Sequence, residues 1–573
     1  MATVPSRFFF PCIDSLFSSP AGVSKMTWYL KAVVPLAALV ALGEASTPAG
    51  HVHAVEPVSS HLQRRGPPVF APDWQPDVEN WGPVPEVISV ASSLQGSTEP
   101  GTKTPVTSDA LQNDITSQAL LDRSEDLQAI AYQTTGRNRV FGSPGHNFTA
   151  LYLYELVSQL EEYYDVEYQP FIETYSGGSA SLVVNGESQN ASLMTYAPNG
   201  QVEAAFVAVS NLGCNASDFP AEVSGAIALI SRGTCDFGLK AALAGAAGAA
   251  GAVIYNNVAG TLSGTLGAPS RPEGPYPPTA AISQAAGQSL VSLLAAGEVI
   301  GDLNVNSIIE DRVTMNVIAQ TKSGDPDNVI FVGAHADSVE AGPGINDDGS
   351  GTVGILEVAL QLAKYEVTNA VRFAWWSAEE FGLLGSEYYV NQSTPEDLDK
   401  IRLYLNFDMI ASPNYKLSIY DGDGSAFNLS GPPGSAEAEA LFENYFESKG
   451  LPSQPTEFNG RSDYGPFLDV GVAAGGLFTG AEQIKTEAEA ALYGGTAGIA
   501  FDENYHRVGD TVDNLNLEAF LVNSRAIAHS VATYATSFDT LPPRSARIVR
   551  RDAYNPKTKA SGCHHKHEEP VAK

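Results

Sequence analysis

One stretch of the chain, residues 329–351, constrains the fold and the chemistry more than any other. It reads VIFVGAHADSVEAGPGINDDGSG, and its first five residues are apolar or glycine, which is typical of a buried strand. Such a strand would end at His335 and Asp337, and open parallel sheets bind ligands at the carboxyl ends of their strands. Asp347 follows in a glycine-rich turn that leads into an amphipathic helix. Because imidazole and carboxylate groups are common metal ligands, the stretch predicts either a metal-binding edge or a plain polar turn of a βα unit.

The length and the acidity of the chain limit its domain count and its partners. Its 573 residues exceed what one compact core accommodates, so two or three domains are expected. The 65 acidic residues outnumber the 32 basic ones, which gives a net charge of −33. This charge would repel a phosphate backbone and attract cationic amines. Nucleic acid is therefore excluded as a partner, and peptides are favoured.

Residues 1–46 are interpreted as a signal region for secretion. Met26 is followed by Lys31, a short apolar run and the small residues typical of a cleavage site. The run is too short to cross a bilayer, and Pro35 breaks it, so no membrane attachment is expected after signal removal. Met26 is interpreted as the working start, or the residues before it as an artefact of gene prediction. Five sequons agree with an extracellular protein: Asn147, Asn190, Asn215, Asn391 and Asn428.

Composition marks off segments at both ends of the remaining chain. Residues 47–107 are rich in Pro, Ser, Thr and Gly, which predicts a flexible pro-segment. Its dibasic pair, Arg64-Arg65, is either a processing site or an ordinary exposed pair. The basic, polar residues 541–573 predict a disordered tail, although its histidines and cysteine could bind metal adventitiously.

From Ile308 an α/β pattern sets in, with strand candidates at residues 314–319, 329–334, 371–376, 403–407, 416–420 and 473–478.

Residues 168–303 differ in character from the α/β region. Short β-type runs there surround an Ala- and Gly-rich helical stretch at residues 239–250. The segment IALISRGTCDFGLKAALAGAAGAAGAVIYNN resembles a protease-associated domain, which implies a lid or a substrate-excluding role. In an oxidising compartment Cys214 and Cys235 would close a loop of about twenty residues, contributing about 3 kcal/mol on the chain-entropy model. The alternative is two unpaired buried thiols.

Four further positions repeat the pattern of a strand that ends in a metal ligand. Glu379 and Glu380 follow the run VRFAWW, Asp408 follows LYLNF, and His506 lies in a loop. A parallel sheet would bring these side chains to the edge that also carries the histidine and aspartates of residues 329–351. The set supplies what two zinc ions sharing one aspartate require, with one glutamate left as a base. A Glu pair alone is more often a helix N-terminus, but the order and spacing of the whole set favour a metal site.

The motifs around these positions resemble those of secreted co-catalytic zinc aminopeptidases, which share a superfamily with glutamate carboxypeptidase and the transferrin receptor. The resemblance rests on GAHADSVEAGPGINDDGSG, RFAWWSAEEFGLLGSEYYV, LYLNFDMIASPNY, NGRSDYGPF, GGLFTGAE and the pair Tyr505-His506. It implies an α/β fold with a mixed, mostly parallel sheet flanked by helices over residues 108–167 and 304–540. A β-rich protease-associated domain would be inserted at residues 168–303. The implied protein is a monomer that hydrolyses the N-terminal bond of peptides and prefers apolar residues such as leucine.

The resemblance also implies a metal-related role for each matching residue. Asp347 would bridge two zinc ions, Glu379 would be the general base, and Asp337 would orient one histidine. The segment around His506 lacks the cysteines that flank this histidine in some bacterial relatives, so other contacts, such as those of Asp510, are expected to hold it. The remaining zinc ligands would be His335 with Asp408 on one ion and Glu380 with His506 on the other.

A second set of matching residues is implied in substrate binding. Tyr505 would stabilise the oxyanion, and Arg461 would organise the end of the cleft. Without the resemblance, Tyr505 would be interpreted as a packed aromatic residue and Arg461 as a surface cation near Asp463. The pocket for the N-terminal side chain would be lined by Met409, Gly460 and Phe478.

Three other functions remain open on the sequence. A carboxypeptidase and a glutaminyl cyclase could share the scaffold, and a receptor-like relative could keep the fold without the metals. The receptor-like interpretation requires missing ligands, and none is missing. The choice among the enzymes depends on whether the cleft binds an amine or a carboxylate, and its acids favour an amine.

Overall fold

A computed structural model of the chain describes residue 70, residues 74–91 and residues 103–544. The predicted signal region, the dibasic pair Arg64-Arg65 and most of the predicted tail lie outside these residues. Within them, no helix is both long and apolar enough to span a membrane.

The described residues contain both strands and helices. The strands are β1 Thr104–Pro105, β2 Tyr164–Val184, β3 Glu187–Gln189, β4 Ala191–Thr195, β5 Gly200–Ala208, β6 Ile227–Ser231, β7 Gly251–Tyr255, β8 Gly264–Thr265, β9 Thr279–Ile282, β10 Ile300–Thr321, β11 Asp325–His335, β12 Tyr365–Glu366, β13 Asn369–Trp376, β14 Ile401–Phe407, β15 Ser418–Tyr420, β16 Gln454–Thr456 and β17 Ala474–Phe478. The helices are α1 Glu86–Ala91, α2 Ser108–Asp114, α3 Ser117–Tyr132, α4 Pro144–Ser158, α5 Phe237–Ala246, α6 Gln284–Ala296, α7 Gly349–Leu362, α8 Leu384–Gln392, α9 Pro395–Lys400, α10 Ser435–Ser448, α11 Tyr464–Asp469, α12 Glu487–Tyr493 and α13 Leu517–Thr536.

The central sheet has parallel strands at its centre and an antiparallel pairing on either side. Its strand order is β16-β15-β17-β14-β11-β13-β10. β11 pairs in parallel with both β13 and β14, and β14 pairs in parallel with β17. Residues 329–335 of β11 are all buried, as expected for a strand that is covered on both faces. The predicted α/β fold with a mixed, mostly parallel sheet is confirmed.

A long two-stranded ribbon connects the central sheet to the inserted domain. β2 and β10 pair without interruption from Tyr164 opposite Thr321 to Val184 opposite Gly301. One end of β10 pairs with β13 of the central sheet, and its other end pairs with β5 of the inserted domain. The domain limits predicted at residues 167/168 and 303/304 therefore fall inside single strands. Because the ribbon is shared by both domains, no linker composition marks the boundary.

The inserted domain has a hydrophobic core of its own. Its strands follow the order β5-β6-β7-β9-β4-β8, in which the pairs β5-β6, β6-β7 and β7-β9 are parallel. The apolar residues of β6 and β7 are fully or almost fully buried. Cys214 and Cys235 form a disulfide across a sequence separation of 21 residues, as predicted.

Part of the predicted flexible pro-segment is packed against the body of the protein. Trp74 contacts Tyr168 edge-on, with ring centroids 6.3 Å apart, and Trp81 contacts Phe148 in the same way at 5.7 Å. Further along, β1 pairs with β12. These contacts correct the prediction for residues 74–91, because two tryptophans within the polar segment pack against the core and are partly buried.

The sequons differ in accessibility. Asn147 lies within α4 and is only 6% exposed, so the folded protein has no room for a glycan there. The other sequon asparagines, Asn190, Asn215, Asn391 and Asn428, are exposed.

Candidate active site

Three neighbouring parallel strands end at one edge of the sheet and bring the predicted side chains together there. β11 ends at His335, β13 is followed by Glu379 and Glu380, and β14 is followed by Asp408. Because β11 lies between β13 and β14 and runs parallel to both, the carboxylates flank the imidazole. His506 joins them from the loop before α13, in a left-handed backbone conformation with φ 56°.

Asp347 faces both histidines with one carboxylate oxygen each. Its Oδ1 lies 3.4 Å from His335 Nε2, and its Oδ2 lies 3.1 Å from His506 Nε2. Asp408 Oδ1 is 3.7 Å from His335 Nε2, and Glu380 Oε2 is 3.0 Å from His506 Nε2. The five predicted ligands thus form two groups that have Asp347 in common.

The donor atoms fit a metal ion. Imidazole nitrogens and carboxylate oxygens are the ligands that zinc takes in catalytic sites. In the group of Asp347, Glu380 and His506, the donor atoms all lie within 4.8 Å of one another. Glu380 Oε1 is buried and has no hydrogen-bond partner among the described residues. A buried carboxylate oxygen without a partner is costly, and a cation at this place would satisfy it.

Asp348 is adjacent to Asp347 in the chain, but its carboxylate accepts hydrogen bonds from backbone N–H groups. Its Oδ2 accepts a hydrogen bond from His335 N at 3.2 Å. Its Oδ1 accepts from Gly351 N at 2.8 Å and from Met409 N at 3.0 Å. Asp348 therefore caps α7 and ties three segments together, which leaves Asp347 as the carboxylate that faces both imidazoles.

Burial shifts the protonation of the clustered acids. It raises the pKa of Glu379 well above its usual value, against the opposing charge of His335 and with the help of Asp408. Burial likewise raises the pKa of Glu380, and the negative charge of Asp347 adds to the effect. For Asp347 itself, hydrogen bonds from the two histidines outweigh the effect of burial, so its pKa lies below the usual value. The cluster is an acidic site that favours a cation.

Two further aspartates hold the cluster in place. Asp337 Oδ1 accepts a hydrogen bond from Glu379 N at 3.0 Å and lies 3.5 Å from His335 Nδ1. Asp510 Oδ2 accepts from Asp347 N at 3.0 Å, so the His506 loop is tied directly to the shared aspartate. The contact of Asp510 therefore holds the His506 loop, which lacks the flanking cysteines of some bacterial relatives.

A buried arginine that no sequence motif revealed anchors the loop between β11 and α7. Arg139 is fully buried, and its Nε donates to Pro343 O at 2.7 Å. Its two terminal nitrogens donate to the carbonyl oxygens of Ala336 and Gly344. One side chain thus joins the start of the loop to its middle, and its charge lies among the aspartates of the site. Nothing in the pattern around Arg139 could have indicated this, because the contact depends on the fold.

Tyr505 and Arg461 meet at the open side of the cluster. Arg461 Nη2 donates to Tyr505 Oη at 2.9 Å, and its Nη1 lies 2.8 Å from Glu482 Oε1. The ring of Tyr505 stacks on His506 with centroids 3.9 Å apart. Burial raises the pKa of Tyr505 well above its usual value, so the phenol keeps its proton.

An open cleft of about 500 Å³ lies in front of these residues. Met409 and Phe478, both predicted for its wall, line it together with Tyr420 and Tyr464. Gly460 was predicted for the same wall but is absent from the lining. It is exposed in a turn with φ 80°, and a Cβ at this position would meet nothing within 4 Å. The positive φ rather than a need for space in the pocket accounts for glycine there.

The chain is similar to several known peptidases. The model of Peptidase family M28 matches residues 316–531, and that of the PA domain matches residues 199–290. A probable leucine aminopeptidase 2 of Aspergillus fumigatus is 55% identical over 430 residues, which are 75% of this chain and 86% of that protein.

Two solved structures share the fold. The aminopeptidase from Aneurinibacillus sp. strain AM-1 is 27% identical, with a TM-score of 0.58 over 76% of this chain and 97% of that chain. A zinc aminopeptidase from Bacillus subtilis is 22% identical, with a TM-score of 0.54 over 75% of this chain and 96% of that chain.

Proposed function

The chain belongs to peptidase family M28 and is a zinc-dependent aminopeptidase, and on that premise we propose that it uses two zinc ions to remove apolar residues from peptide N-termini. The observation that carries the proposal is the position of Asp347. Its two oxygens face His335 and His506 at 3.4 and 3.1 Å, which supports one carboxylate shared by two ions. The carboxypeptidase, cyclase and receptor-like alternatives are set aside in favour of this activity.

The proposed ligands divide between the two ions as the distances suggest. Asp347 is shared, His335 and Asp408 complete one site, and Glu380 and His506 complete the other. Zinc bound there would polarise the carbonyl of the scissile bond and acidify water. Asp337, beside His335 Nδ1, fixes the orientation of that imidazole.

Glu379 is the proposed general base. Its carboxylate lies beside the first group, with Oε2 3.7 Å from His335 Nε2, but it is not needed as a ligand. Burial gives it a raised pKa, and a base of this kind can take a proton from the attacking water and pass it to the leaving amine. The hydrogen bond from Glu379 N to Asp337 holds the base in position.

Tyr505 is the proposed stabiliser of the oxyanion. Its hydroxyl lies at the open side of the cluster and accepts from Arg461, so its own proton can be donated to the negative oxygen that forms during hydrolysis. The pairing with Glu482 holds the Arg461 guanidinium in place.

The N-terminal residue of the substrate is bound through its amine and through its side chain. The N-terminal amine is held by the carboxylates of Glu379 and Asp408, which line the cleft. The side chain enters between Met409 and Phe478, a flexible thioether and a ring, which suit leucine, methionine and phenylalanine. Because each methylene discriminates by only about 1 kcal/mol, the preference is broad.

The experiment uses protein recovered from the medium of the producing cells. The signal region predicts that the protein is secreted, and the cleft predicts that it hydrolyses leucyl 4-nitroanilide. In gel filtration it is expected to elute as a monomer. N-acetyl-leucyl 4-nitroanilide should not be cleaved, since it lacks the charged amine, and a zinc chelator should abolish activity. Cleavage of the acetylated substrate at the same rate as the free one would contradict the proposal.

A further inference from the structure

We infer that Glu457 extends the specificity of the cleft to peptides that begin with lysine or arginine. The inference rests on the proposed function, because it concerns the same pocket and the same hydrolysis. It adds a class of substrates with a cationic N-terminal side chain to the apolar ones.

Glu457 lies on the rim of the pocket for the N-terminal side chain. It directly follows β16, which pairs in parallel with β15, and β15 ends at Tyr420. Asp421 N donates to Thr456 O at 2.9 Å, which fixes the start of this turn beside the wall of the cleft. The next residue, Phe458, stacks on Tyr420 with ring centroids 5.0 Å apart. Both Glu457 and Tyr420 line the cleft.

The carboxylate of Glu457 is available to a ligand. The side chain is exposed, and among the described residues its oxygens have neither a hydrogen-bond donor nor an ion-pair partner. The cation of the same cleft, Arg461, is already paired with Glu482 at 2.8 Å. The other acids that line the cleft belong to the proposed metal centre: Asp347, Glu379, Glu380 and Asp408.

A lysine or arginine side chain matches the chemistry of this pocket along its whole length. Its methylenes can lie against Met409, Tyr420 and Phe478, while its charged end stays at the wetter rim, as long cationic side chains commonly do. There the unpaired carboxylate of Glu457 supplies the opposite charge. An N-terminal glutamate would be repelled at the same place.

The test compares substrates that differ in charge but little in length. Glu457→Gln should lower kcat/KM for lysyl and arginyl 4-nitroanilides by about threefold to tenfold, because a rim ion pair contributes modestly and a partly desolvated one contributes more. Methionyl 4-nitroanilide, an uncharged substrate of similar length, should be unaffected. Glu457→Lys should lower the lysyl rate further and raise the glutamyl rate. For the unaltered enzyme, the ratio of the lysyl to the methionyl rate should fall as salt is added, because salt screens the attraction to Glu457, whereas for Glu457→Gln this ratio should change little.

Glu447→Gln is the matched control. Glu447 is exposed on α10 and does not line the cleft, so this variant changes the net charge equally without touching the pocket. If lysyl and methionyl rates fall together, or if the lysyl-to-methionyl ratio is the same in all variants, the inference is wrong. Failure of the unaltered enzyme on every amino-acyl substrate would instead contradict the proposed function.

Discussion

Replacement of Glu379 by glutamine is expected to lower kcat by about 10²- to 10⁴-fold, the range typical of removing a general base. The amide has nearly the shape of the carboxylate, but it cannot accept the proton of the attacking water. The backbone at Glu379 should stay in place, because its N–H donates to Asp337 at 3.0 Å. Zinc content should remain close to that of the unaltered enzyme, since Glu379 is not one of the proposed ligands.

The neighbouring residue offers a matched control for this variant. Glu380→Gln makes the same chemical change one position along the chain, but Glu380 Oε2 faces His506 Nε2 at 3.0 Å. This variant should therefore lose zinc, and added zinc should restore part of its activity. Steady-state kinetics and metal analysis on both proteins measure the difference. If the two variants have the same phenotype, the assigned roles of these neighbours are wrong.

Replacement of Asp347 by asparagine is expected to cause the largest loss of zinc among the single substitutions. An amide is uncharged and presents one oxygen, whereas both oxygens of Asp347 face imidazoles, so the change removes the shared carboxylate and weakens the binding of both ions. The loss of affinity should exceed the roughly 10- to 100-fold that is typical of mutating an outer partner of a metal ligand. Competition with a fluorescent zinc chelator measures the two affinities.

Asp348→Asn is the control for the loss of zinc. Asp348 is a neighbouring buried aspartate, but its oxygens accept hydrogen bonds from the backbone of His335, Gly351 and Met409. The variant should keep most of its zinc and show a lower unfolding temperature, because a helix cap and two interior contacts are weakened. Equal loss of zinc in the two variants would mean that Asp347 is not the shared ligand.

The strands of the central sheet could be predicted from the sequence because each is a short apolar run that ends in a polar side chain. β11, β13, β14 and β17 lie where the apolar runs predicted them, because a strand that is covered on both faces is a nearly continuous apolar run. β10 extends over Ile300–Thr321, although only residues 314–319 were predicted, because residues 306–313 form an exposed part of the ribbon without apolar periodicity. β16 was missed, since a three-residue strand containing Pro455 has no strand pattern.

The metal ligands predicted from the motifs also lie close together in the structure. His335, Asp347 and Glu380 could be predicted because strand ends and turns are readable in one sequence. Arg139 and Asp348 could not, since their roles consist of hydrogen bonds to backbone atoms that only the folded chain brings near. Gly460 was misplaced for a related reason: a glycine in a motif indicates either space or a positive φ, and the sequence does not distinguish them.

The central claim is that the chain holds two zinc ions around one shared aspartate, and metal analysis of the purified active enzyme tests it most directly. Zinc and protein should be quantified in the same sample by inductively coupled plasma mass spectrometry and amino-acid analysis, after exhaustive dialysis against metal-free buffer. The site geometry predicts about two zinc ions per chain, and stepwise readdition of zinc to the chelated protein should restore activity up to that ratio. Full activity with one zinc ion per chain, or with none, would contradict the claim.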